Sequence, residues 1–378
     1  MRVLMMTHEF PPCRGGIGTY ASGLAKGAHE LGHELTVVAP DFGHDLAESD
    51  RDGYPFEVIR HHSGEYSWKR LPALIWRTWR WSRFRKCDLL HAVDSAYVMS
   101  LAFLNKFSKI PFVATAYGSD VLAMPSSTQA KWLMVRRMFE VPGRIFAISG
   151  FTRDLLLSRC PSISPGRVRV TPLGIDERWF DPPASPDEVP GRLGIPKEGR
   201  IILTVARLDE RKGHRTTLKG IARLDASLKR DLWYVVVGGC ANTPYVRELR
   251  NLAAECGANV KFAGDVTDED LHALYAAASV YAMPGEEHPG KVEGFGLAYL
   301  EAAAQGVPSI ASRLGGAPEA VLHEETGLLI EPGDDESFCR ALTVLLRDED
   351  LRRRLGNKAR ERAKSFNWRR CAELTYGK

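Results

Sequence analysis

Between residues 291 and 316 the chain reads KVEGFGLAYLEAAAQGVPSIASRLGG, and the residue types with the most chemical capacity are gathered there. Glu293 opens the stretch, Gly294-Phe295-Gly296 follows, and a helical pattern runs through Leu297, Leu300, Glu301 and Ala304. The backbone N–H groups of Phe295, Gly296 and Leu297 at a helix start suit a phosphate, because that end carries donors without intrahelical partners and the positive pole of the dipole. Glu301 lies eight residues after Glu293, so two carboxylates of fixed spacing can accept from hydroxyls on either side of that phosphate. A nucleotide-sugar presents hydroxyl, pyrophosphate and hydroxyl in that order. The two glutamates alone would describe many buried helices with solvated ends. Gly294 and Gly296 between them, the Val307-Pro308 strand start and Gly315-Gly316 beyond set this stretch apart.

A second cluster is Arg207-Leu208-Asp209-Glu210-Arg211-Lys212-Gly213, directly after a predicted strand from Ile201 to Val205. Arg207 and Lys212 leave the C-terminal end of that strand, where parallel α/β sheets bind ligands. Two fixed cations there can neutralise a diphosphate as its bond to a sugar breaks. Arg211 reads as a surface cation ahead of a helix. Gly238-Gly239 ends a further strand and adds Gly239 to the candidate binding loops. Asp268-Glu269-Asp270 imitates an acidic metal triplet but reads better as a helix start capped by Thr267 and Asp270, and no metal is expected. The segment from Gly285 to Lys291 holds more charge than a plain sugar pocket needs; His288 or Lys291 contacts a ligand, or the loop is simply solvated, and both readings stay open.

Gly16-Ile17-Gly18-Thr19-Tyr20-Ala21 satisfies G-x-G-x-x-A, with Asp41 where a ribose-binding acid would sit. Its placement argues against a nicotinamide site, since about eight residues, Pro11-Pro12 among them, separate Gly16 from the strand at Val3 to Met6. Gly15 and Gly16 are expected instead to let backbone approach a ligand, with a helix N-terminus facing it. Tyr117, in Ala116-Tyr117-Gly118-Ser119-Asp120, follows the strand Phe112 to Thr115 and points toward the ligand end of the sheet.

Positioning these groups calls for a parallel α/β architecture in two parts. The chain of 378 residues exceeds one ordinary core, and 44% hydrophobic with 26% charged residues is a soluble globular composition. Strands are expected at Val3–Met6, Leu35–Ala39, Leu89–Ala92, Phe112–Thr115, Ile145–Ile148 and Val168–Thr171, with Tyr20 to Leu31 helical between the first two and Ser149 capping a helix. The pattern restarts at Ile201–Val205 and continues through Trp233–Val237, Val260–Phe262, Val280–Met283 and Ser309–Ala311. The expected division is residues 1–178, a Pro- and acid-rich linker at 179–198, a second domain at 199–365, and a helix at 366–378 returning to the first. Two doubly wound domains facing across a cleft is the resulting fold class. Seven cysteines without a Cys-x-x-Cys pair suit a reducing, cytoplasmic compartment. A net charge of +4 is too mild to imply nucleic acid, and no run is long enough to span a membrane.

Residues 68–86, WKRLPALIWRTWRWSRFRK, interleave basic and aromatic side chains. Leu71, Leu74, Ile75, Thr78 and Trp79 share one helical face and are expected in the core. Arg77, Arg80, Trp81, Arg83, Phe84, Arg85 and Lys86 around them suit the headgroup region of an anionic membrane, or else a solvated helix over a sheet.

Taken together, Gly15-Gly16, Arg207 to Lys212, and Glu293 to Glu301 followed by Gly306-Val307-Pro308 resemble the retaining glycosyltransferases of family four, which have the GT-B fold. The resemblance spans nearly the whole chain. Phe10-Pro11-Pro12 and Gly315-Gly316-Ala317-Pro318-Glu319 look most like the phosphatidylinositol mannosyltransferase group. The resemblance implies that Glu293 holds the sugar's 3- or 4-hydroxyl and Glu301 the nucleotide ribose. Arg207 and Lys212 would take the pyrophosphate, helped by the N–H groups of Phe295, Gly296 and Leu297, with Gly16 beneath it. Val266 would offer backbone to the base and Asp268 would accept from a guanine edge. The implied donor is a GDP- or UDP-sugar without metal, the acceptor a glycan or lipid-linked hydroxyl, and transfer proceeds with retention and no covalent carboxylate intermediate, unlike the two-carboxylate glycosidases. The family usually has His where this chain has Tyr117, so handling of the donor's C6 end is expected to differ. An NAD-dependent oxidoreductase leaves the second half unexplained, a nonenzymatic membrane-surface module would carry no transfer activity, and a nucleotide-sugar epimerase remains on fold grounds. Oligomeric state is left open.

Overall fold

The structure, a computed structural model, describes residues 1–62, 71–84, 86–105, 111–123, 138–183, 188–239 and 243–378. It divides into two compact units, Met1–Asp176 with Phe366–Lys378, and Glu177–Ser365. The first holds β1 (Arg2–Met6), β2 (Glu34–Pro40), β3 (Glu57–His61), β4 (Leu89–Ala92), β5 (Phe112–Ala116), β6 (Arg144–Ala147) and β7 (Val168–Val170), in the order β3-β2-β1-β4-β5-β6-β7. The second holds β8 (Arg200–Val205), β9 (Leu232–Val237), β10 (Asn259–Gly264), β11 (Ala278–Met283), β12 (Ser309–Ser312) and β13 (Gly327–Ile330), ordered β10-β9-β8-β11-β12-β13.

All strand pairs are parallel, which requires helical crossovers on the faces and buries central strands on both sides. Val3, Leu4, Met5 and Met6 of β1 are accordingly almost fully buried. In each sheet the order reverses once, between β1 and β4 in the first unit and between β8 and β11 in the second. At such a reversal the loops leaving the two strands part, and the crevice between them is where open α/β sheets take ligands. The loops so placed are Thr7–Gly15 with Val93–Asp94, and residues 206–213 with 284–296.

Residues 177–198 carry a short turn at Glu177–Phe180 and a helix at Glu188–Arg192, with Trp179, Val189 and Ile195 buried against the second unit. The Trp368–Tyr376 helix packs in the first unit on the Gly16–Glu30 helix. Its Trp368 sits where a Cβ on Gly23 would lie 2.1 Å from the indole and one on Gly27 would lie 2.4 Å from the Trp368 carbonyl oxygen. The outgoing and returning chain touch: Ile175 N–H donates to the Phe366 carbonyl at 3.1 Å.

The basic aromatic segment corrects one expectation. The Leu71–Phe84 helix buries Leu74, Thr78 and Ser82 and packs Leu71 and Trp81 against the core, while Trp79 is 41% exposed beside Trp76 at 56%. The buried stripe keeps the 3.6-residue period from Leu71, and Trp79 falls off it whereas Trp81 falls near it. Trp68, Lys69, Arg70 and Arg85 lie outside the described residues, as do the side chains of Arg83 and Phe84. Among the described residues no helix is long and apolar enough to cross a membrane.

Candidate functional site

In the second unit the loop after β8 turns through a 3-10 helix, Glu210–Lys212, capped by the Asp209 side chain, and Gly213 then starts the His214–Ala222 helix. The turn brings two cations inward. Lys212 Nζ and Arg211 Nη1 both donate to Glu293 Oε2, Arg211 at 3.1 Å. Arg211, read from sequence as a surface cation, is thus the site residue that reading missed, because a 3-10 turn of about three residues rotates adjacent side chains to faces no helical or strand period predicts. Lys291 closes the outer side with an ion pair to Asp209 at 2.6 Å, and His288 Nδ1 accepts from Gly290 N–H at 3.2 Å within the same loop.

Burial alone would raise the Glu293 carboxyl, but Lys212 and then Arg211 outweigh it and hold the group below the ordinary carboxylate range. Burial holds Lys212 below its ordinary value, with Glu293 opposing. The carboxylate form of Glu293 is the one fixed by these two charge-assisted bonds.

The Glu293 backbone is located by a close approach. Gly316 N–H donates to the Glu293 carbonyl at 2.8 Å, and a Cβ on Gly316 would lie 2.0 Å from the Gly294 oxygen. Only glycine fits there. Phe295 is buried, Gly296 turns the chain at φ 97°, and Leu297 begins the Leu297–Ala304 helix. Glu301 is on that helix and accepts from the Tyr275 hydroxyl at 2.7 Å.

Arg207 is exposed, and its side chain makes no hydrogen bond or ion pair among the described residues. Its backbone is fixed from below: His214 Nε2–H donates to the Arg207 carbonyl at 3.1 Å, and His214 Nδ1 lies 3.3 Å from the Tyr234 hydroxyl. Burial pushes His214 down to about 4, which keeps it neutral in this role. Gly239 follows β9 with its Cα face toward the Asp265 carboxylate, and Val266 follows β10. Asp268 opens the Asp268–Ala277 helix and pairs with Arg178 at 2.9 Å. Thr267 caps that helix by accepting from Asp270 N–H, while the Asp270 carboxylate turns to Arg192 rather than back to the cap. Among the described residues no three His, Cys, Asp or Glu side chains converge to hold a metal ion.

In the first unit Gly15 precedes the Gly16–Glu30 helix, and a Cβ on it would meet the Glu9 carboxylate at 2.3 Å. A Cβ on Gly16 would meet nothing within 4 Å among the described residues, so none of them demands glycine there. Tyr117 follows β5; its ring stands edge-on to Tyr20 at 5.6 Å and its hydroxyl is buried without a hydrogen bond among the described residues. Burial pushes Asp120 up to about 6, even though its carboxylate accepts from the N–H groups of Tyr117, Gly118 and Val121 and so fixes the turn. Gly16 opens its helix only after residues 7–15, which confirms that the G-x-G-x-x-A string is not spaced as a dinucleotide turn.

Known families match both units. The family described as Glycosyltransferase Family 4 covers residues 14–179, and Glycosyl transferases group 1 covers residues 186–362. The chain is 31% identical to the GDP-mannose-dependent alpha-(1-6)-phosphatidylinositol monomannoside mannosyltransferase of Mycobacterium tuberculosis, across 95% of this chain and 93% of that one. It is 33% identical to the D-inositol 3-phosphate glycosyltransferase of Corynebacterium efficiens, across 92% of this chain and 75% of that one. The solved structure of Anabaena Alr3699/HepE in complex with UDP-glucose superposes with a TM-score of 0.80 at 19% identity, over 99% of this chain and 98% of that one, which shows the shared fold.

Proposed function

Because the chain belongs to the family-four glycosyltransferases, with the GT-B fold and a nucleotide-sugar donor, we propose that it transfers mannose from GDP-mannose to a hydroxyl of an inositol-bearing lipid. The donor and acceptor follow the relative matched over nearly the full length, which is named for both. The observation that carries the reading is Glu293, held ionised by Lys212 and Arg211 at the loop leading into the Leu297–Ala304 helix, with Glu301 on that helix.

In this reading Glu293 accepts from donor-sugar hydroxyls and Glu301 from the ribose. The N–H groups at the helix start, with Arg207 and Lys212, stabilise charge as it develops on the departing diphosphate, where such groups contribute most to the rate. Gly16 lets a ligand phosphate come close to backbone, which explains a glycine that no neighbour among the described residues requires. A carboxylate tied up by two cations is a poor nucleophile, so transfer here has no route through a covalent glycosyl-enzyme on Glu293. Exposed Trp76 and Trp79, with Arg80 over the Trp76 ring, fit contact with an anionic lipid surface. Vesicle sedimentation that is unaltered when both tryptophans become serine would remove that part.

The test is thermal stabilisation by GDP, UDP, ADP and NAD, followed by mannose transfer to phosphatidylinositol monomannoside in vesicles. Stabilisation by GDP alone, lost in Arg207→Ala and Glu301→Ala, is expected, since a ligand specific to the native state raises the melting temperature. Stabilisation by NAD alone would overturn the assignment. The Corynebacterium efficiens relative favours a second reading, a soluble inositol phosphate acceptor; transfer to inositol phosphate but not to the lipid would establish it.

A further inference from the structure

Two cations on one carboxylate oxygen leave the Lys212–Arg211–Glu293 cluster with an excess positive charge. All three side chains are under 20% exposed. The two cations are not held alike. Arg211 Nη1 also lies 3.5 Å from the Val292 carbonyl, and Nε lies 3.9 Å from Asp209 Oδ1. Its backbone is fixed too, N–H to Asp209 Oδ1 at 3.3 Å and carbonyl to Glu286 N–H at 3.1 Å. The Lys212 side chain has Glu293 as its one hydrogen-bond partner among the described residues, at the end of a flexible stem. The guanidinium is thus tied to Glu293, Asp209 and the Val292 carbonyl, the ammonium to Glu293, so Lys212 is the cation an arriving diphosphate would draw away. Were both cations to leave, Glu293 would be a buried carboxylate without a partner, which is costly.

We propose that Arg211 is a positioning residue of the donor site, holding the Glu293 carboxylate in place and charged while Lys212 exchanges from Glu293 to the donor's diphosphate. The proposal rests on the donor-site reading above. It gives the two cations separate tasks. Lys212 reports the diphosphate, and Arg211 keeps Glu293 able to accept from the sugar. The other ionisable groups that feel Glu293 are the hydroxyls of Tyr281 and Tyr299, which burial keeps protonated. Asp209, 3.9 Å from Arg211 Nε, is a second carboxylate, which burial would raise but Lys291 and Arg211 hold below its ordinary range, so the acid limb is assigned to Glu293 by its absence in Glu293→Gln.

The experiment measures GDP and UDP binding by calorimetry, and kcat/KM against pH for GDP-mannose turnover, on the full chain. The variants are Arg211→Met, Arg211→Lys, Lys212→Met, Glu293→Gln and the Arg211→Met/Glu293→Gln double. Lys212→Met is expected to weaken nucleotide binding about 10-fold or more, through loss of a charge-assisted contact. Arg211→Met should leave nucleotide binding within about 3-fold yet lower kcat/KM about 30-fold or more. It should also move the acid limb of the profile to higher pH, because the carboxylate has lost a cation, and Arg211→Lys should move it back. In the Glu293→Gln background, removing Arg211 should cost nothing further. Equal loss of nucleotide binding in Arg211→Met and Lys212→Met would make Arg211 a diphosphate ligand and overturn the proposal, as would an unmoved acid limb or additive losses in the double variant. If Arg211→Met does not fold, Arg211→Gln puts the same questions. A wild-type protein that binds neither GDP nor UDP would sink the donor site itself, an outcome seen before any substitution is made.

Discussion

Tyr117 follows β5 with a buried hydroxyl that no neighbour among the described residues satisfies. Such a group costs about 1–3 kcal/mol unless something else pairs with it. Tyr117→Phe should therefore keep or slightly raise stability in denaturant titration, while turnover falls if the hydroxyl is spent on a ligand. Tyr117→His should change the relative use of donors that differ at C6; unchanged preference would show that the residue does not read that end of the sugar. His214 makes a prediction of opposite kind. Its folded value of about 4 lies below the ordinary 6.5, so the unfolded chain binds the proton more readily. The stability it contributes is complete above about pH 6.5 and is lost as pH falls toward 4, roughly 3 kcal/mol in all. Thermal melts of His214→Gln between those pH values should show a shallower acid slope than wild type; an identical slope would place the titration elsewhere.

At the scale of elements, the loop from Glu293 to Gly296 depends on the chain that passes against it. Gly316→Ala puts a methyl 2.0 Å from the Gly294 oxygen, so the loop must shift. The cost expected from overpacking is about 1–3 kcal/mol, with nucleotide binding lost before the fold is; calorimetry on the folded variant checks it. Gly315-Gly316 was legible in sequence as part of the motif, but not the reason, which lies in a contact between segments about twenty residues apart. Alternating strand and helix patterns revealed every strand but two. β3 hides because Arg60 stands inside it, turned to Asp50 at 2.7 Å, on an edge strand paired only with β2. β13 is no shorter than β4, β6 or β12; it escapes notice because it opens on Gly327, which counts against a strand. Trp79 shares the face of Leu71, Leu74, Ile75 and Thr78 in the sequence reading, but the buried stripe runs through Leu74, Thr78 and Ser82 and leaves Trp79 at its exposed edge. Arg211 could not be separated from its exposed neighbour Glu210 by any local pattern, since its inward aim comes from Asp209 capping a single 3-10 turn.

For the whole molecule, the site loops of each unit follow from where its strand order reverses, a property of topology rather than of any residue. The first unit is discontinuous in sequence, and Trp368, with Tyr376 against His91, joins its two pieces. Trp368→Ala would empty the space above Gly23, where the indole lies, at a cost of about 3–5 kcal/mol. Limited proteolysis should then cut the first unit while sparing residues 177–365; equal resistance in both would show that the socket contributes little. The same joint sets a timetable. Domains commonly mature in the order in which they leave the ribosome, yet here Glu177–Ser365 is fully made before Trp368 exists. The unit that supplies the first residues of the chain must wait, socket open, for some of the last.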